Sequence, residues 1–150
     1  AQLDWLVRNR MLGMSAGDND ALNDMSVQIG SYMLGDSNAS LRLVGRQLLE
    51  HAVSLGIDSG GRYQFLLASH YLKEFCDERK ISILSLLRGS ADEGNILAVA
   101  VLMYLYRGNF CIKANSSEFS AYETKFNDLL KGRELTYESV IEYLKREGVF

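Results

Sequence analysis

Apolar residues recur at three- and four-residue spacing along most of this chain. Leu41, Val44, Leu48, Leu49, Ala52 and Leu55 share one helical face, which predicts a helix from about Ser40 to Leu55 with Ser40 positioned to cap it. A glycine-rich link, Ile57 to Gly61, then leads into Tyr63, Leu67, Ala68, Tyr71 and Phe75, again on one face. A third helix over Lys80 to Asp92 carries Ile81, Leu84, Leu87 and Ala91. Ile96 to Tyr106 is an unbroken apolar run of eleven residues with no polar face, so it predicts a helix at the centre of the packing. Leu3, Leu6, Val7, Met11 and Met14 make an amphipathic first helix, and another helix is expected near Phe119 to Leu130. A last helix, capped by Thr136, turns Val140, Ile141 and Leu144 inward and leaves Glu138, Glu142, Lys145 and Arg146 in water. Gly108 to Glu118 is the longest irregular stretch, of a length that often carries function.

The pattern repeats. LLEHAVSLG, Leu48 to Gly56, and LLRGSADEG, Leu86 to Gly94, each contain a leucine pair, a charged residue and a closing glycine. Gly56, Gly94 and Gly132 stand 38 residues apart, and Gly17 stands 39 before Gly56. Glycine commonly stops helices because it accepts positive φ without steric cost. A period of this size belongs to two-helix solenoid repeats. The expected fold is therefore all-α: one domain over residues 1–150, an α-α superhelix of three to four helix pairs closed by a C-terminal capping helix.

Composition sharpens this in three places. Proline is absent, against an average near 5%, as suits a chain of helix interiors. A net charge of -3 and a pI near 5.4 offer no basic footprint for nucleic acid. The eleven-residue apolar run falls short of the roughly 17–25 residues that span a bilayer, so no membrane span is expected. No basic, apolar, small-residue leader pattern stands at the start of this sequence, which opens on Ala1, and the compartment stays open.

The segment LLRGSADEGNILAVAVLMYLYRGN, Leu86 to Asn109, resembles the Sel-one-like repeat, a relative of the tetratricopeptide repeat. Gly94, Ala98, Leu102, Tyr106 and Gly108 stand at that repeat's small, apolar, aromatic and glycine places, with Met103 in place of the second small residue. The preceding copy offers Leu67, Ala68 and Tyr71, the first only Tyr32 and Gly35, and the fourth Ala121 and Gly132, so the resemblance is to a degenerate array over residues 11–132. It implies an adaptor or scaffold that binds a protein or peptide on its concave face. The tetratricopeptide geometry, carried over at matched positions, puts Arg62, Phe65, Ser69, Lys73, Tyr104 and Arg107 on the groove side, with Asn23 and Ser26 from the weaker first copy. That surface suits a partner segment with acidic and apolar residues. The rival readings are solvated helix faces and a self-associating structural module of a larger assembly.

Reactive chemistry finds little footing in the sequence. His51, His70, Cys76 and Cys111 form no paired spacing of the kind that marks a metal site, and no phosphate-cradling glycine loop occurs. No enzyme, cofactor or metal is expected on these grounds. Acidic pairs such as Asp18 with Asp20 and Asp92 with Glu93 read as helix-start charges. Trp5, off the first helix's apolar stripe, suggests an interface near the N-terminus. Tyr71 and Tyr106 recur at repeat spacing and are expected to wedge between helices with their hydroxyls satisfied at the rim. Cys76 and Cys111 each follow those tyrosines by five residues. Stacked helices lie about 8–10 Å apart, whereas a disulfide needs Cα atoms about 4.4–6.8 Å apart. Two free thiols are expected, which favours a reducing compartment such as the cytoplasm, with secreted and periplasmic locations still open.

Overall fold

A computed structural model describes Gly30 and residues 33–56, 60–108 and 110–150. They contain α1 (Ala39–Ser54), α2 (Arg62–Glu74), α3 (Lys80–Asp92), α4 (Ile96–Tyr106), α5 (Ser116–Leu129) and α6 (Tyr137–Arg146). Among the described residues there is no strand. The fold is all-helical, as the apolar spacing predicts. The expected first helix, Gly17, Trp5, Asn23 and Ser26 lie outside the described residues. Contacts gather into two compact units, Ala1–Asp58 and Ser59–Phe150.

In the first unit α1 starts two residues earlier than Ser40 would allow. Asn38 is the cap, its side-chain oxygen accepting from the Ser40 and Leu41 amides at 2.8 and 3.4 Å. Gly45 is the crossing point of this unit: a Cβ there would stand 2.6 Å from the Met33 Cβ and 2.8 Å from the Gly30 carbonyl oxygen. The missing side chain lets two backbones come together where any larger residue would hold them apart.

The second unit is built outward from α4. Every residue from Ala98 to Met103 is buried, with Leu105 and Tyr106, and α4 packs against α3, α5 and α6. A helix with no polar face reaches low free energy only when covered on all sides, and three neighbours cover it. Asn95 caps its start through bonds from the Leu97 and Ala98 amides. Helix α2 packs on α3. At the start of α2, Gly61 takes φ +70°, and a Cβ on it would stand 2.5 Å from the Ser90 Cα, so that the buried Ser90 hydroxyl donates to the Gly61 carbonyl at 2.6 Å. Ile83, Leu87 and Ala91 form the buried stripe of α3. Ile81, expected on that stripe, is 87% exposed, because it lies two residues, about 200°, around the helix from Ile83.

The expected ends of helices hold well. Gly56, Gly94 and Gly132 all have positive φ, the conformation that stops a helix. Gly108 and Gly148 do the same without belonging to the 38-residue period, so the conformation marks helix ends rather than repeats. Thr136 caps α6 in a reciprocal pair with Ser139, and Val140, Ile141 and Leu144 are buried as the pattern requires. The irregular stretch is shorter than expected, because Asn115 caps α5 and takes Ser116 to Glu118 into the helix.

Candidate functional site

The cation and aromatic residues at the end of α4 form the most developed cluster in the second unit. Arg107 is the C-cap of α4, where a cation faces the negative end of the helix dipole. The chain then turns at Gly108, and the Asn115 amide donates back to the Tyr106 carbonyl at 2.8 Å, closing the base of the following loop. That closure starts α5 beside α4 and brings Phe119 to Arg107. The Arg107 guanidinium stands 4.9 Å from the Phe119 ring centre and 5.0 Å from that of Tyr137, the first residue of α6. Phe119 and Tyr137 meet edge to face at 6.5 Å, and Phe126 meets Tyr137 in the same manner at 6.2 Å. Arg107 is exposed, and among the described residues no carboxylate lies within ion-pair reach of it.

Two clefts open on either side of this cluster. One, of about 300 Å³, lies over Met103, Phe126, Leu130 and Leu135, with Arg107 and Tyr137 at its edge. The other, of about 370 Å³, is lined by Tyr104, Arg107, Tyr137, Ile141, Glu142 and Lys145. The Tyr137 hydroxyl is buried and has no hydrogen-bond partner among the described residues. Burial pushes its ionisation above the ordinary tyrosine range, with the Arg107 charge pulling the other way. Glu138 lines both clefts and Glu123 the first, so the surroundings carry both signs of charge. These groups are equipped to hold a ligand by charge, ring contact and apolar contact.

The six expected groove residues divide. Tyr104 and Arg107 lie in the cluster just described. Tyr104 stacks on Phe150 with centroids 4.1 Å apart and planes 7° from parallel. Arg62 and Lys73 are exposed on α2, and the Lys73 ammonium reaches the neighbourhood of Gly148, where a Cβ would meet it at 3.9 Å. Phe65, by contrast, is buried at 8% exposure, and the Ser69 hydroxyl donates to the Phe65 carbonyl one turn back at 2.8 Å. Neither presents a free group to a groove. Phe119, Tyr137, Lys145 and Phe150 were not legible as site residues, although Tyr137, Ile141 and Lys145 at four-residue spacing mark one stripe of α6.

Tyr71 and Tyr106 are both buried, at 3% and 4% exposure. The Tyr106 hydroxyl accepts from Arg88 at 2.6 Å and the Tyr71 hydroxyl from Arg79 at 3.4 Å. The bond to Tyr106 holds the Arg88 guanidinium still more firmly protonated than usual.

The expectation of two free thiols is overturned. Cys76 and Cys111 form a disulfide, with Cα atoms 5.8 Å apart. Helix-axis spacing was the wrong measure, because neither cysteine lies in a helix. Cys76 follows the end of α2 at Phe75, and Cys111 sits in the loop after α4 with φ +66°. Loops leaving adjacent helix ends converge more closely than the axes do.

No protein-family model matches this chain, and no curated protein or solved structure matches it. Among the described residues no helix is long and apolar enough to cross a membrane.

Proposed function

We propose that this chain is a protein-binding module, an adaptor or scaffold in the manner of the Sel-one-like repeats it resembles, with its binding face along α2, α4 and α6. The observation that carries the reading is Arg107: an exposed guanidinium without an anionic partner among the described residues, clasped between the Phe119 and Tyr137 rings and flanked by two clefts. Ring contact holds the cation in one place and leaves its N–H edges available, a geometry that suits bidentate capture of a carboxylate. Tyr104 and Ile141 give the larger cleft apolar surface for a neighbouring side chain, so the favoured partner is a segment carrying an acidic and an apolar residue.

The rival is a self-associating structural module. Leu43, Val44 and Leu55, exposed at 42%, 41% and 53% in the first unit, favour it. Light scattering behind size exclusion separates the two, since a clean monomer removes self-association. The binding face itself is tested by reversing Arg62, Lys73 and Arg107 together to Glu and measuring partner capture from native extract. Capture should weaken at least about tenfold, or about 1.4 kcal/mol, with the helical spectrum retained; unchanged capture by the folded variant removes the reading. The disulfide adds a compartment to the proposal, because such bonds persist in oxidising surroundings. A secreted or periplasmic site of action fits it better than the cytoplasm.

A further inference from the structure

Tyr104, central to the proposed face, is already covered. Phe150 lies flat on its ring at 4.1 Å, and the Lys145 ammonium stands 5.6 Å from the same ring centre. The end of α6 brings Phe150 there. Gly148 takes φ +77°, the Val149 amide donates to the Leu144 carbonyl at 3.0 Å, and Val149 is buried. This turn directs the last residues back across α4 instead of onward along the axis of α6. The same segment passes near the exposed Lys73 ammonium at Gly148, and of the six residues assigned to the groove it covers Tyr104.

The stack differs from the interior aromatic contacts. Phe126 and Tyr106 are buried at 2% and 4%, whereas Tyr104 and Phe150 are only partly covered. Tyr104 also lines the larger cleft with Ile141, Lys145 and Arg107. Lifting Phe150 away therefore opens no cavity in the core. It exposes a ring face continuous with an existing cleft.

We infer that the Tyr104 ring face is a subsite for an aromatic side chain of a partner protein, and that Phe150 is its built-in occupant, displaced when the partner binds. The inference rests on the protein-binding reading above and names what the partner presents: Phe, Tyr or Trp, on a segment whose nearby carboxylate reaches Arg107 or Lys145. One aromatic stack replaces another, so the exchange loses little ring contact. The partner's apparent affinity is reduced by the fraction of molecules in which Phe150 stays seated.

The test uses N-acetyl-Gly-Val-Phe amide, an uncharged copy of residues 148–150, titrated into the whole chain and followed by NMR. In Phe150→Ala, saturable shifts should appear at the Tyr104 ring and at the Ile141 and Lys145 amides, with a dissociation constant at least about tenfold below that for the unaltered protein. Adding Tyr104→Ala should abolish them. Equal titration of the unaltered protein and Phe150→Ala overturns the inference, as does a folded Phe150→Ala in which Tyr104 does not shift. Should Phe150→Ala lose its fold, Phe150→Leu keeps an apolar contact over the turn while removing the ring, and the same outcomes apply. Binding of this uncharged peptide should be insensitive to added salt, whereas capture through the charged groove weakens as salt rises, so a failed aromatic subsite and a failed charged groove give different results.

Discussion

One register places Phe65 and Ser69 of α2 on the same side of a groove as Tyr104 and Arg107 of α4, yet the two pairs end in opposite environments. Phe65 is buried and Ser69 bonds back into its own helix. Tyr104 and Arg107 stand among half-covered rings beside two clefts. The difference follows from how much of each helix is covered. In α2 the buried stripe is wide, running through Phe65, Ala68 and Leu72 as well as Leu67 and Tyr71, and the groove register cuts across it. In α4 the residues from Ala98 to Tyr106 are buried except Tyr104, so beyond Ile96 and Leu97 at its start only Tyr104 and the capping Arg107 reach the surface. What that turn can do is then decided by the rings α5 and α6 bring to it. A side chain of a central helix thus becomes accessible chiefly at the helix end, where its neighbours diverge.

The comparison is most exposed to test at Phe65. Phe65→Ala should lower the unfolding free energy by about 3–5 kcal/mol, the range for truncating a large buried aromatic, and Tyr106→Ala should do the same. Urea melts read both. A loss below about 0.5 kcal/mol for Phe65→Ala would mark a surface position and return it to the groove.

The disulfide comes next in size. It closes a 35-residue separation, and replacing Cys76 and Cys111 together by Ser should cost about 2–4 kcal/mol. Intact-mass measurement after alkylation should find no modified thiol before reduction and two after it. Two modified thiols without reduction would restore the free-thiol expectation.

Arg107→Ala should be mild for stability, about 1 kcal/mol, since the fold loses two cation-ring contacts of an exposed guanidinium and a weak helix-dipole interaction. A loss approaching that of Phe65→Ala would make Arg107 a structural residue and remove the contrast between the two helices.

The smallest effect concerns alkaline pH. Burial raises the ionisation of Tyr137 and Tyr122 in the folded chain above the ordinary value near 10. An acid with a raised folded pKa holds its proton longer when folded, so its contribution is full below about pH 10 and is lost as pH rises through the folded value. Melting temperature should therefore begin to fall near that pH, and Tyr137→Phe should flatten the fall. An unaltered slope in Tyr137→Phe would mean that its hydroxyl reaches water.

Much of the second unit is legible from spacing alone. Ile96 to Tyr106 announces a central helix, Thr136 a helix start, and Val140, Ile141 and Leu144 an inward face, because each depends on residues within two turns. Phe65 was legible too, since Phe65, Ala68 and Leu72 follow helical spacing for one face. A groove register laid over the helix outweighed that local signal. The disulfide and the ring cluster were not legible. Cys111 meets Cys76 through a left-handed loop residue, and Arg107 meets Phe119 and Tyr137 through the paths of two connections. Neither path is written in apolar periodicity.

The position of the disulfide also decides how the chain bears tension. Helices α3 and α4 lie wholly between Cys76 and Cys111, so a pull applied beyond both cysteines passes through the sulfur bridge and bypasses them. Outer segments extend first, while the 35-residue separation spanned by the bridge, roughly 120 Å of extended chain, stays stored until the bond is reduced. The central helix on which the second unit is built is thereby the last part of it that force can reach.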